Sequence, residues 1–187
     1  MESKKKLLII HHSSVSRETQ PSQFYAVNRY HREKNWGTIA KPWYQTHPTK
    51  YGYYHGYTHF MGTNGVITRT RGREEEGLHT KGYNKDGHIA LCIAGNFHIE
   101  VPNLAQQESL RRFREENIDY EIKLHKELGK TSCPGGLFNR SYVRNIPLTN
   151  RYKFTDNDRE KNFNIELNLS LLDRLKELLL NMLKDLK

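Results

Sequence analysis

The alternation of apolar and polar positions predicts a mixed α/β domain over most of the chain. A short apolar run at 6–10 predicts a buried strand that leads straight into His11, and a continuous apolar run at 89–94 is typical of a central strand covered on both faces. Between them, 57–70 predicts a hairpin, because Asn-Gly at 64–65 is a favoured turn pair. These segments would build the centre of one sheet.

Two further segments have the spacing of amphipathic helices. Residues 21–35 bring apolar and aromatic side chains to one face, and Asn103 can cap a second helix through Gln106. The residues that share these faces are Phe24, Val27, Tyr30 and His31 in the first helix and Leu104, Leu110 and Phe113 in the second. A short strand is expected after the second helix, since Ile118, Tyr120, Ile122 and Leu124 alternate with charged residues. The segment 36–56 predicts an ordered loop.

These elements predict an α/β fold, with a mixed central sheet flanked by helices on both faces, over residues 1–148. A polar linker at 149–164 and an amphipathic, leucine-rich C-terminal helix at 165–187 are expected to follow. The apolar face of that helix is too broad to stay exposed to water. We expect it to form a homo-oligomer with other copies of the chain; docking on the preceding domain of its own chain is the alternative.

The charge balance favours an anionic partner. The chain of 187 residues has 30 Lys and Arg against 21 Asp and Glu, a net charge of +9. Nucleic acid and the bacterial wall both fit this charge, but no basic helix with interleaved aromatic residues is present, so nucleic acid is not expected. No apolar stretch suits a membrane span or the core of a signal peptide, which predicts cytoplasmic synthesis without stable membrane insertion.

Three residues have the types and the context of a metal site. His11 lies where a buried strand ends, and His125 and Cys133 are eight residues apart, with a Pro-Gly-Gly turn after the cysteine. Two His and one Cys form a recognised zinc-ligand set that leaves a fourth position for water. From residue types alone, Cys133 could equally be a small buried hydrophobe and His125 a solvated strand residue.

Four motifs occur in the order found in one known family. They are Ile-Ile-His-His-Ser at 9–13, Gly-Tyr-Thr-His-Phe at 56–60 with Asn-Gly after it, the pair of segments 72–84 and 89–97, and His125 with Thr-Ser-Cys-Pro-Gly at 131–135. Over residues 6–138 the chain resembles the zinc-dependent N-acetylmuramoyl-L-alanine amidases shared by phage endolysins and peptidoglycan recognition proteins. The resemblance implies the fold of that family, with a zinc groove over one edge of the sheet.

The resemblance also implies roles for the residues around the metal. His11, His125 and Cys133 would bind Zn²⁺, which activates a water for attack on an amide. Counting back from the hairpin turn places the family's active-site tyrosine at Tyr57, where its hydroxyl would stabilise the oxyanion or orient the water. Phage members of the family have a Lys at the position of Thr131. Many recognition-protein amidases have a Thr there, as this chain does.

The proton donor and the substrate contacts are less closely defined by the motifs. Lys130 is an alternative to Thr131 as the donor. His79 and Lys81 are expected to line the groove and contact the muropeptide, although Lys81 could also be a solvated loop charge. His12 is expected either to pack in the interior or to support the metal ligands, and Cys92 to be structural because it lies inside a buried strand. Lone loop histidines such as His55 are expected to be packing or surface residues.

The function implied by the resemblance is hydrolysis of the amide bond between N-acetylmuramic acid and L-alanine in peptidoglycan. The expected setting is a phage or prophage endolysin that reaches the wall through a separate, holin-type pore. One alternative is a cytoplasmic amidase that recycles anhydro-muropeptides. The other is a peptidoglycan-binding protein without catalysis, although all three zinc ligands and the tyrosine are present.

Overall fold

The computed structural model describes residues 5–18, 23–36, 38–40, 45–72, 74–85 and 87–144. The predicted linker at 149–164 and the predicted helix at 165–187 lie outside the described residues, so both stay predictions. None of the helices in the described part is long and apolar enough to cross a membrane.

A five-stranded mixed sheet forms the centre of the described domain. The strands in chain order are β1 (Leu7–His12), β2 (Thr38–Ala40), β3 (Gln45–His47), β4 (His59–Met61), β5 (Ile67–Arg69), β6 (Ile89–Ile93) and β7 (Glu121–Leu124). The order across the main sheet is β5-β4-β6-β1-β7. Strands β4, β6, β1 and β7 are parallel to one another, and β5 at the edge is antiparallel to β4. The short β2 and β3 pair separately, inside the segment predicted as an ordered loop.

The two continuous apolar runs are the inner strands of this sheet. All six residues of β1 and all five of β6 are buried, because helices cover both faces of the sheet. The hairpin prediction is confirmed too: β4 and β5 are antiparallel, and Gly65 in the turn has a φ of +81°. Strand β1 extends through His12, two residues beyond the predicted end.

Helix α1 (Gln23–Glu33) and helix α2 (Leu104–Glu116) lie on opposite faces of the sheet, followed by the short α3 (Ser141–Arg144). On one face, alternate residues of the strands pack with α2; they are Leu8, Ile10, Met61, Leu91 and Ile93, against Leu110 and Phe113. On the other face, Phe60, Cys92 and Ala94 pack with Phe24 and Val27 of α1. Because His11 is in register with Cys92, its side chain lies on the α1 face.

The predicted cap of α2 is present. The Asn103 side chain accepts a hydrogen bond from the Gln106 main-chain N–H at 2.9 Å, and the Gln106 side chain accepts one from the Asn103 N–H at 3.2 Å. The buried Gln106 amide also donates to the Ala94 carbonyl at 2.7 Å, so the cap fastens the helix to the end of β6.

Three residues predicted to face inward are exposed. Tyr30 is 51%, Leu104 83% and Ile118 67% exposed. Leu104 is the first residue of α2, and the buried residue of that first turn is Gln106. Ile118 lies in the turn before β7 rather than in a strand, since pairing with β1 begins only at Glu121. On α1, the buried side chains are Gln23 and His31.

Two histidines belong to the interior next to α1. The His31 Nδ1 accepts a hydrogen bond from the Gly56 N–H at 3.0 Å, and the His55 Nε2 donates to the Phe24 carbonyl at 3.1 Å. Burial lowers the pKa of His31 to about 4 and that of His55 to about 3, so both rings are neutral at physiological pH. The packing role expected for His55 is confirmed.

The lowered pKa of His31 predicts a pH-dependent stability. The unfolded chain takes up a proton near the usual pKa of 6.5 and the folded chain only near 4, so the stabilisation is present at neutral pH and is lost as the pH falls through that range. Replacing His31→Asn keeps an acceptor for Gly56. Denaturant unfolding of metal-free protein at pH 7 and pH 4.5 should show an acid-induced loss ~2 kcal/mol smaller in His31→Asn than in wild type.

The exposed His47 supplies the matched control. His47→Asn should leave the acid-induced loss at its wild-type size. An equal loss in His31→Asn and wild type would show that His31 is not a source of the acid sensitivity.

Candidate metal centre

The register between β1 and β7 brings two histidines to the same edge of the sheet. Ile10 is paired with Leu124, so the next residue along each strand is His11 on β1 and His125 after β7. The centroids of the two imidazole rings are 4.4 Å apart. His11 is buried, with 1% of its surface exposed, whereas His125 is half-buried at the surface of the site.

A 3₁₀ turn at His125–Glu127 fixes the direction of the second histidine. The Leu124 N–H donates to the Glu127 carboxylate at 2.8 Å, and Arg140 forms an ion pair with that carboxylate. The Lys126 N–H donates to the Cys133 carbonyl at 2.7 Å. The turn that carries His125 is therefore tied directly to the segment that carries the cysteine.

A tight turn presents Cys133. Its N–H donates to the Thr131 hydroxyl at 3.2 Å, and the Gly135 N–H donates to the Ser132 carbonyl at 2.7 Å. Gly135 has a φ of +111° and lies so close to Phe97 that an added Cβ would be 2.3 Å from the Phe97 carbonyl. The turn can seat against this neighbouring loop only with glycine at position 135.

His11, His125 and Cys133 come together as the sequence predicted. One potential ligand atom from each residue lies within 4.8 Å of the other two, and the Cys133 Sγ is 3.9 Å from the His11 Nδ1. Within the described ranges, this is the one group of three or more metal-ligating side chains with such geometry.

Comparison with known proteins finds amidases and peptidoglycan recognition proteins. No protein-family model matches the chain. The chain is 33% identical over 93 residues to the mouse N-acetylmuramoyl-L-alanine amidase, a match that covers 45% of this chain and 17% of that protein. It also resembles the N-acetylmuramoyl-L-alanine amidase LysC from Clostridium intestinale URNW, with a TM-score of 0.56 and 22% identity over 74% of this chain and 82% of that one.

A third similarity is to the ectodomain complex of peptidoglycan recognition proteins LCa and LCx, solved with tracheal cytotoxin bound. The TM-score is 0.57 and the identity 23%, over 77% of this chain and 84% of that one. In sequence the chain is similar to N-acetylmuramoyl-L-alanine amidases, and in fold it is similar to both these amidases and peptidoglycan recognition proteins. The resemblance drawn from the four motifs is confirmed, and so is the expected fold. The chain spans less than a fifth of the length of the mouse amidase.

Burial controls the protonation of the three candidate ligands. It lowers the pKa of His11 well below the usual value, with further contributions from His79 and His125, and it also lowers the pKa of His125. Both rings therefore offer a lone pair at neutral pH. Burial raises the pKa of the Cys133 thiol to about 11, although the His12 N–H and the charge of Lys126 oppose the rise.

These protonation states suit a cation. A thiol with a raised pKa becomes a thiolate only when a positive charge compensates it, and a divalent metal ion does so directly. Two neutral imidazoles and one thiolate are a donor set that Zn²⁺ accepts in tetrahedral geometry. The residues present therefore fit the zinc ion that the resemblance implies.

Tyr57 and His79 form the wall of the site on either side of His11. Their ring centroids are 5.0 Å and 5.6 Å from that of His11. Burial raises the pKa of Tyr57 well above its usual value, with Cys92 and Cys133 adding to the rise. This tyrosine stays protonated across the physiological pH range.

The remaining predicted residues are arranged less closely around the metal ligands. The Thr131 hydroxyl lies in the cysteine turn, where it accepts the Cys133 N–H. Lys81 and Lys130 are exposed. His12 faces the α2 side, as alternation along a strand requires, and its Nδ1 accepts a hydrogen bond from the Phe97 N–H at 3.1 Å.

Sequence reasoning missed Arg71, whose side chain is completely buried. The guanidinium donates to the main-chain carbonyls of His55, Trp36 and Glu76, the last at 2.7 Å, and so fastens together the segments that lead to Tyr57 and to His79. Burial lowers the pKa of Arg71 to about 10, which still leaves it charged at neutral pH. Arginine is rarely buried, so its residue type does not suggest an interior position. The only sequence signal is the Arg-Gly pair directly after the hairpin.

The close packing of Gly135 predicts a sharp contrast with its neighbour. Gly135→Ala adds a methyl group to a left-handed backbone position that has no space for it, which should lower the free energy of unfolding by ~2–4 kcal/mol. Gly136→Ala is the control, because nothing lies within 4 Å of a Cβ at that position. Denaturant titrations of both variants test this, and equal stability of the two would contradict the packing described for the cysteine turn.

Proposed function

We propose that the chain is a zinc-dependent N-acetylmuramoyl-L-alanine amidase that hydrolyses the amide bond between N-acetylmuramic acid and L-alanine in peptidoglycan. The observation that carries the proposal is the cluster of His11, His125 and Cys133 at the edge of an amidase-type sheet, with its ligand atoms within 4.8 Å of one another. The amidase names of a mammalian relative and of a bacterial structural neighbour support the same reaction.

The neutral imidazoles of His11 and His125 and the thiolate of Cys133 would hold the ion. When bound, zinc supplies a Lewis acid for the amide carbonyl and increases the acidity of a water molecule. The protein contributes hydrogen-bond donors around the reacting carbonyl. Tyr57 suits this role because its raised pKa keeps the hydroxyl hydrogen in place at neutral pH.

The leaving amino group of L-alanine requires a proton. Thr131 is one source, since its oxygen accepts the Cys133 N–H and its own hydrogen remains free to be donated. The exposed Lys130, one residue earlier, is the alternative. His79 and Lys81 lie inside the first segment of the third motif, and we assign to them contacts with the muropeptide.

We place the activity at the bacterial wall, as a phage or prophage endolysin. The net charge of +9 suits a wall that carries phosphate polymers and peptide carboxylates. The proposal includes access to the wall through a separate pore and self-association through the predicted C-terminal helix. Recycling of soluble muropeptides in the cytoplasm is the alternative setting for the same reaction.

A second candidate function is peptidoglycan binding without hydrolysis. It is favoured by the similarity to the recognition-protein complex with tracheal cytotoxin. The two functions differ in what they require of the metal ligands. Only hydrolysis needs His11, His125 and Cys133 together, and their convergence is the reason to prefer the enzyme.

Mass spectrometry of a purified sacculus digest tests the reaction. We expect free lactyl ends together with new L-alanine amino termini, and one zinc per chain by elemental analysis. Cys133→Ser should lose most of the zinc and the products with it. New reducing sugars or cleaved peptide cross-links would contradict the bond assignment, and a Cys133→Ser protein that kept both zinc and activity would contradict the ligand set.

The hydroxyl of Tyr57 can be tested separately. Tyr57→Phe should retain zinc but hydrolyse peptidoglycan ~10²–10³-fold more slowly, the usual effect of removing an oxyanion donor. Tyr30→Phe is the matched control, because Tyr30 is 51% exposed and should keep the wild-type rate. Turnover at the wild-type rate in Tyr57→Phe would remove this hydroxyl from the mechanism.

A further inference from the structure

The two ring nitrogens of His11 face different partners. The Nδ1 atom is 3.9 Å from the Cys133 Sγ, on the side of the candidate ligands. The Nε2 atom is 3.3 Å from the hydroxyl oxygen of Thr80. Since His11 is 1% and Thr80 3% exposed, this hydrogen bond is shielded from water. Thr80 lies inside the third motif, and the resemblance implies no role for it.

The position of one hydrogen decides whether His11 can bind a metal through Nδ1. A neutral imidazole carries a hydrogen on only one nitrogen, and the other nitrogen provides the lone pair. Thr80 could accept a hydrogen bond from Nε2–H, which leaves Nδ1 free, or donate to an unprotonated Nε2, which places the hydrogen on Nδ1. The direction of this one hydrogen bond therefore matters for the metal site.

A second contact of Thr80 offers an acceptor for its hydroxyl hydrogen. The Thr80 Oγ1 is also 3.1 Å from the His79 Nδ1. A hydroxyl has a single hydrogen to donate. If Thr80 donates it to His79, its oxygen accepts from the His11 Nε2–H, and the His11 Nδ1 is left unprotonated toward Cys133.

The surrounding loop holds this chain of hydrogen bonds in place. The Asn84 side-chain oxygen accepts the N–H groups of both His79 and Thr80, each at 3.0 Å. The Tyr83 N–H donates to the Thr80 carbonyl at 2.9 Å. Gly77 lies against the His79 ring, where an added Cβ would be 2.5 Å from the ring carbon Cδ2. Both members of the pair are thus fixed in position.

We propose that Thr80 is a positioning residue that keeps His11 in the Nε2–H tautomer, with His79 as the acceptor of the Thr80 hydrogen. The His11 Nδ1 lone pair is thereby directed at the metal. The inference rests on the zinc site of the proposed function. It gives His79 a role in ordering the metal ligand that is separate from any contact with muropeptide.

Three variants distinguish positioning from simple packing. Thr80→Val keeps the shape of the side chain and removes the hydroxyl, whereas Thr80→Ser keeps the hydroxyl. Thr49→Val is the matched control, because Thr49 is also 3% exposed. This variant loses a buried hydrogen bond to the Thr70 carbonyl, which does not involve His11. The full-length chain is used throughout.

The first readout is the dissociation constant for zinc, measured by competition with a chelator. Loss of a partner that orients a ligand typically weakens metal binding ~10–100-fold, and we expect this in Thr80→Val. Thr80→Ser and Thr49→Val should bind zinc as tightly as wild type. Wild-type affinity in Thr80→Val, or an equal loss in Thr49→Val, would overturn the proposal.

The second readout is the tautomer itself, taken from long-range ¹H–¹⁵N NMR of the histidine rings in zinc-free wild-type protein, which needs no variant to fold. His11 should carry its hydrogen on Nε2, and a hydrogen on Nδ1 would overturn the proposal. Neither readout uses hydrolysis. A wild-type chain that binds zinc without cleaving sacculi would refute the proposed function alone, whereas normal zinc binding and cleavage in Thr80→Val would refute the role of Thr80 alone.

Discussion

Strand β1 has six consecutive buried residues and pairs in parallel with β6 on one side and β7 on the other. The register of these two pairings determines which side chains of β1 face α1 and which face α2. His11 lies on the α1 face because it is in register with Cys92, and His125 follows β7 at the level of His11. A slip of one residue would turn His11 toward α2 and bring His12 to the site instead. The geometry of the candidate metal centre therefore depends on strand pairing set by the apolar residues of the core.

A buried polar framework supports the other side of the site. His31 accepts the Gly56 N–H, His55 donates to a carbonyl of α1, and Arg71 donates to three carbonyls of neighbouring segments. Apart from the α1 carbonyl, the main-chain groups bound here lie outside helices and strands, so these hydrogen bonds replace hydrogen bonds to water. They hold the segment leading into Tyr57 in one conformation, where apolar packing alone would specify it less well.

The parts of the fold that could be predicted have signals within a few residues of one another, such as the cap formed by Asn103. Leu104 was misassigned because helical periodicity shows which residues share a face but not where the neighbouring sheet ends. The ligand set followed from motif order, whereas residue types alone left it open. The contact between Thr80 and His11 joins positions 69 residues apart, and the carbonyls bound by Arg71 become neighbours only in the folded chain, so no local pattern indicated either one.

The proposed ligands also have a consequence for the chain as a polymer. His11 and Cys133 are separated by 122 positions, so an ion held by both would close a loop that includes nearly the whole described domain. Cross-links across such long loops reduce the conformational freedom of the denatured chain most, although the gain grows only logarithmically with loop length. Zinc in this position would be a removable cross-link between the first strand and the last turn of the site. The availability of the metal would then determine how stable the folded chain is, independently of any reaction at the site.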